Sequence, residues 1–156
     1  MLEEGELESF AASISEVLWA QQGSDGGWGR VPGQSDALTT AAILESLAEL
    51  KGLNWVGLLD ERLKLAVKRL RQFQSAQAIL LSVGKTKKSA DTLDAFTYLT
   101  LLRHGSDSST MRGFLFKNWK KLTPMGQTMF ALALHRRGDS EDRNTIRFSL
   151  GEQLVK

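Results

Sequence analysis

Segments of helical periodicity alternate in kind along this chain, and that alternation limits its fold more than any other feature of the sequence. Leu7, Phe10, Ala11, Ile14, Val17 and Leu18 recur at three- and four-residue intervals, with Glu8, Ser9, Ser13, Ser15 and Glu16 on the other side. That spacing predicts an amphipathic helix with one wet face. From Asp36 to about Leu53 the pattern changes. Leu38, Ala41, Ala42, Ile43, Leu44, Leu47, Ala48 and Leu50 cover most of the circumference and leave a polar stripe through Glu45 and Glu49, so this helix is expected to be mostly buried. A third helix opens near Asp60, a suitable N-cap. Leu59, Leu63, Ala66, Val67, Leu70 and Phe73 form its stripe, opposed by Glu61, Arg62, Lys64, Lys68, Arg69 and Arg71. Its continuation through residues 74–81 stays open, and residues 84–88 read as an exposed loop. The fourth helix, about Ala90–Arg103, is apolar around nearly its whole girth.

The fifth, Ser109–Lys121, sets Met111, Phe114, Leu115, Trp119 and Leu122 against Arg112, Lys117 and Lys120. The sixth starts at Pro124, placed for a first helical turn, and is apolar all round over its second half. A seventh, from about Ser140, carries Ile146, Leu150 and Leu154 on one stripe. Outward helices one, three, five and seven thus alternate with buried helices two, four and six. A layered array of helical hairpins needs that pattern. The expected class is all-α, as one helical domain over residues 1–156.

The hairpins are joined by glycine stops. Gly23, Gly105 and Gly138 each follow a helical run and precede Asp or Ser-Asp. This weak internal repeat suits left-handed caps followed by new helix starts, and it is the mark of solenoids and toroids. The stretch Gln21-Gln22-Gly23-Ser24-Asp25-Gly26-Gly27-Trp28-Gly29 is the most distinctive. Gly26 and Gly27 supply backbone angles that a Cβ disfavours, Asp25 can accept from amides in the turn, and Trp28 offers a large ring with one N–H. Gln21, Asp25, Gly26, Gly27 and Trp28 are therefore read as a structural anchor between two helices, not as chemistry.

Composition narrows the function. A net charge of +2 is too small to imply nucleic acid by itself. The chain has no cysteine, hence no disulfide, thiolate metal site or cysteine nucleophile. Its first twenty residues are acidic and amphipathic, unlike a signal peptide, and no apolar run approaches the roughly 20 residues of a transmembrane span. Asp91 and Asp94 lie on one helix face and can be read as a carboxylate pair, but a cap and a solvent-facing acid is the simpler expectation. His104 and His135 sit near helix ends without a carboxylate constellation, a weak basis for a metal or a general base. Gly84-Lys85-Thr86 lacks the upstream glycine and strand of a phosphate loop. No catalytic residue, metal site or cofactor is expected.

The turn at residues 21–29, followed by Asp36-Ala37-Leu38-Thr39-Thr40-Ala41, resembles the motif of α/α-toroid proteins. These include triterpene cyclases, protein prenyltransferases and the thioester domains of alpha-2-macroglobulins and complement-type proteins. Asp25–Gly29, Pro32-Gly33, Thr39-Thr40 and Ile43–Leu47 are most similar to the bacterial alpha-2-macroglobulin branch. Trp119, Met125–Asp139 and Ser149–Glu152 resemble the closing segment of the same domain. The similarity spans roughly residues 16–154. It implies the C-terminal half of a thioester-type toroid, within a large extracytoplasmic protein that traps proteases and packs against its own neighbouring domains. The family's Cys-Gly-Glu-Gln-type element has no counterpart here, so this chain carries no thioester. The resemblance also implies buried helices that need a further partner, hence an exposed apolar face or self-association. Other readings are a stand-alone terpene-cyclase-like toroid binding an apolar ligand, and a helical-repeat interaction module.

Overall fold

The computed structural model describes residues 4–52 and 60–138. The protein is all-α, and the described residues contain no strand. Helices α1 (Glu4–Ala20), α2 (Ala37–Gly52), α3 (Asp60–Val83), α4 (Thr92–Arg103), α5 (Ser109–Lys117) and α6 (Pro124–Arg137) follow one another, with a 3-10 turn at Trp119–Lys121 between the last two. The expected seventh helix, from about Ser140, lies outside the described residues. The chain divides into two compact units, Met1–Phe73 and Gln74–Lys156. Helix α3 contributes to both, and it continues unbroken through residues 74–83 where the pattern had left its extent open.

In the first unit, α3 buries Leu63, Ala66 and Leu70, as its spacing predicts, and α2 buries Thr40, Ala41, Leu44 and Leu47. Helix α2 is less enclosed than expected, because Leu38 and Ala42 are exposed. Helix α1 departs further. Among its described side chains Ser15 and Trp19 are buried, while Phe10, Ile14 and Val17 are 61%, 43% and 58% exposed. At 100° per residue, Ser15 and Trp19 lie roughly opposite that apolar stripe. The helix is docked by its other side. Trp19 decides this, because its ring meets Trp28 at 5.7 Å between centroids.

In the second unit, α4 packs chiefly on α6 and also on α5, and it is buried nearly all round, as its composition predicts. The core closes on Phe130, whose ring meets Phe116 at 5.0 Å, Tyr98 at 6.0 Å and Trp119 at 6.1 Å. Edge-on and tilted pairs of this kind add to the burial itself. The helix expected over Ser109–Lys121 is split at Asn118, whose Oδ1 accepts from the buried Ala90 N–H at 2.7 Å. The side chain that ends α5 thereby supplies a partner to the start of α4. Thr123 then caps α6, with Pro124 in its first turn, and the Thr92 and Thr123 hydroxyls meet at 2.6 Å. Leu132, placed on the apolar second half of α6, is exposed.

The caps follow the sequence at two of the three repeated glycines. Gly105 (φ 77°) closes α4 in a Schellman motif, with Ser106 N donating to Leu101 O and Gly105 N to Leu102 O. Gly138 (φ 82°) ends α6. Gly23 is not left-handed, and the positive φ of that turn belongs to Gly26 (88°).

Candidate functional site

The turn between α1 and α2 is fastened from three directions within the first unit. Asp25 Oδ1 accepts from Gly27 N at 3.0 Å, and its Oδ2 accepts from the Ser35 hydroxyl and pairs with Arg69 Nε at 3.0 Å. The Ser35 hydrogen bond is the largest of the effects that hold the Asp25 carboxyl below its ordinary pKa, with Gly27 N–H and the Arg69 charge adding to it. The Arg69 guanidinium also lies 4.2 Å from the Phe73 ring centre. Trp28 is buried, and its indole Nε1 donates to Leu18 O at 2.9 Å. Its backbone exchanges two bonds with Thr40: Trp28 N donates to Oγ1, and Oγ1 donates to Trp28 O, both at 3.0 Å. Asp36 caps α2, accepting from Thr39 N at 2.7 Å and from Thr39 Oγ1 at 2.9 Å.

Glycine is required here by contact as well as by angle. A Cβ on Gly26 would lie 2.7 Å from the carbonyl carbon and oxygen of Leu65, so the turn rests directly on the α3 backbone. A Cβ on Gly29 would lie 1.7 Å from Gln34 O, which no relaxation of a side chain can relieve. Gln21, expected in the anchor, is exposed. Its neighbour Gln22 does the fastening, donating from Nε2 to Gly26 O at 2.8 Å and to Arg62 O at 2.9 Å. Arg62 answers by donating to Trp19 O at 2.7 Å. Two adjacent glutamines at a helix end gave the sequence no way to rank them, since the deciding partner lies forty residues on.

A second polar cluster lies in the second unit. Lys87, placed by its loop in the expected solvent-exposed stretch, is mostly buried. Its Nζ contacts Asp91 Oδ2, Asp94 Oδ2 and Gln77 Oε1, each at 2.8 Å. Asp91 and Asp94 form a reciprocal capping box at the start of α4: each carboxylate accepts the other's backbone N–H, at 3.0 and 2.9 Å. Asp91 is the cap the sequence suggested. Asp94 is not solvent-facing; it is 2% exposed. Burial raises its pKa, aided by the Asp91 charge, against the pull of Lys87. Burial also opposes the Lys87 charge, but its bonds to Asp91 and Asp94 outweigh that and hold its pKa above the lysine norm.

A third cluster centres on Asp107. Its carboxylate accepts from Tyr98 OH at 2.8 Å, Arg112 NH1 at 3.0 Å and Arg137 Nε at 2.8 Å, tying α4, α5 and α6 together. Burial opposes the Asp107 charge, but these three donors keep its pKa below normal. Burial, then the Asp107 carboxylate, pushes the Tyr98 phenol above its ordinary range.

All three clusters spend their charges on backbone ends and on one another. His104 caps α4 through its own N–H, and His135 lies in the last turn of α6, so they share no cluster with Asp91 and Asp94. Among the described residues no three His, Asp or Glu side chains gather as a metal site. Gly84 (φ 67°) leaves a helix, not a strand, which sets Gly84-Lys85-Thr86 apart from a phosphate loop. No helix of the described residues is long and apolar enough to cross a membrane. No family model, curated protein or solved structure gives a match to this chain.

Proposed function

We propose that this chain is a non-catalytic helical segment of an alpha-2-macroglobulin-like, protease-trapping protein, and that its hairpins form part of an α/α toroid. The observation that supports the reading is the use made of the Asp25–Gly29 turn. Asp25, Gly26, Gly27 and Trp28 each hold helix to helix or turn to helix, by hydrogen bond, ion pair or direct backbone contact. A turn so committed suits a scaffold. The exposed side chains of Phe10, Ile14 and Val17 suit a segment that packs against further protein, as a toroid half does against its complement. In this reading the parent protein acts outside the cytoplasm. The segment's partners are then its neighbouring domains and the trapped proteases.

The experiment is to express the longest reading frame that contains this segment and challenge it with a protease. A trap protects a large protein substrate while leaving hydrolysis of a small peptide substrate almost unchanged. That split, with a Cys-Gly-Glu-Gln-type element elsewhere in the frame, is the expected result. Full cleavage of the large substrate at excess of the expressed protein would overturn the proposal.

A further inference from the structure

Asp25 is followed by Gly26, and no other Asp or Asn in the chain precedes a glycine. Unfolded, that pair is open to a reaction within its own backbone. The Gly26 amide nitrogen can attack Asp25 Cγ, since glycine has no Cβ to shield it. A C–N bond forms, the carboxyl loses its hydroxyl as water, and a five-membered succinimide results. Water then adds at either ring carbonyl. Addition at the former α-carbonyl breaks its bond to nitrogen and leaves isoaspartate, with the main chain routed through Cβ and Cγ. One water leaves and one returns, so the net change is an isomerisation that needs no co-reactant.

The fold withholds each requirement of the attack. The nitrogen must shed its proton, but Gly26 N–H donates to Gly23 O at 2.9 Å. The leaving hydroxyl needs a protonated carboxyl, but the Ser35 hydroxyl and Arg69 Nε hold Oδ2 as the anion. Cγ must turn onto Gly26 N, but Oδ1 is tied past it, to Gly27 N at 3.0 Å. Arg69 Nε also donates to Ser35 Oγ at 3.1 Å, so the two partners of Oδ2 brace each other.

We propose that folding protects Asp25 from isomerisation, and that isomerisation at Asp25 in the unfolded chain makes loss of the first unit irreversible. Isoaspartate at position 25 adds one carbon to the main chain before Gly26 N and removes one from the side chain. Added length has no room there, because a Cβ on Gly26 would already lie 2.7 Å from the Leu65 carbonyl. The bonds from Gly26 N to Gly23 O and from Gly23 N to Gly27 O span the altered link and lose their register. The shortened carboxylate no longer reaches Gly27 N, Ser35 and Arg69 together. This chemistry requires nothing of the protease-trap reading, and either can fail alone.

The test incubates the full chain at neutral pH, native and unfolded in urea, beside a free peptide of residues 20–30. Heavy-oxygen water labels each hydrolysed succinimide, and peptide mapping separates isoaspartate from aspartate at position 25. The unfolded chain should isomerise at the rate of the free peptide, and the native chain at least about tenfold more slowly. Ser35→Ala, with its folding checked by circular dichroism and urea midpoint, should isomerise severalfold faster than native wild type. That rise should exceed what its change in global stability accounts for. On dilution from urea, the isomerised fraction should fail to regain hydrogen-exchange protection at residues 21–36, whereas the unmodified fraction of the same sample regains it. Equal rates in the native and unfolded chains overturn the proposal. So does a Ser35→Ala chain that isomerises at the wild-type rate, or an isomerised fraction that refolds with full protection.

Discussion

The two units solve the same problem by different means. The second closes an aromatic core: Phe130 meets Tyr98, Phe116 and Trp119, and α4 is enclosed almost all round. The first is fastened by a turn. Trp19 and Trp28 meet, but α1, which bears Trp19, leaves Phe10, Ile14 and Val17 exposed. What sets the first unit is where backbone N–H and C=O groups find partners, through Gln22, Asp25, Thr40 and Arg62, with Arg69 holding the Asp25 carboxylate. An apolar stripe marks a face able to be buried. A fixed set of polar partners decides which face is.

The largest expected effect lies where packing dominates. Phe130→Ala should cost the second unit about 4 kcal/mol. Hydrogen exchange followed by peptide should then show α4 and α6 losing protection, with the turn at residues 21–36 losing less. If both units lost protection equally, their distinction would not hold energetically. Lys87→Met tests the buried charge within the same unit. It leaves Asp94 without its cation, at a cost of about 3 kcal/mol at neutral pH. The sign of its pH dependence follows from Asp94. A carboxyl whose folded pKa is raised binds more protons folded than unfolded between the two pKa values, so the variant should recover stability as pH falls through that folded pKa toward the ordinary carboxylate value. Denaturant titration at neutral and mildly acidic pH checks this.

Two smaller effects probe the turn. Thr40→Val keeps the shape of the side chain but strands the Trp28 backbone N–H, while the Trp28 C=O keeps the Asp36 N–H. About 2 kcal/mol is expected, seen as a lower urea midpoint with unchanged slope. Asp25→Asn should cost about 1 kcal/mol, since its carboxylate is partly exposed and solvent weakens the Arg69 pair. Asp25 has a lowered folded pKa, so its contribution is present above the ordinary carboxylate value and is lost as pH falls through the folded value. The difference between wild type and Asp25→Asn should therefore shrink in acid. A gap that stayed constant to the lowest accessible pH would remove the carboxylate from the account.

Local signals were legible in the sequence. Asp91, Pro124, Gly105 and Gly138 start or stop helices where short-range chemistry says they should. The Asp25 turn and the burial of Trp28 were legible for the same reason. What the sequence hid depends on distant partners. Asn118 breaks α5 because an amide 28 residues earlier needs an acceptor. Lys87 sits in a loop of lysines that looks solvated, and only the folded approach of Gln77, Asp91 and Asp94 singles it out. The orientation of α1 is the plainest case. Periodicity located its apolar stripe correctly but could not foresee that Trp19, on the other side, would find Trp28.

That orientation is tested most directly by the unfolding free energy of Phe10→Ala, measured at a concentration low enough to keep the chain monomeric. With Phe10 in water, the change should lie within about 0.5 kcal/mol of wild type. A loss of about 3 kcal/mol or more would show that Phe10 is buried in the monomer, and would contradict the docking of α1 by its Trp19 side.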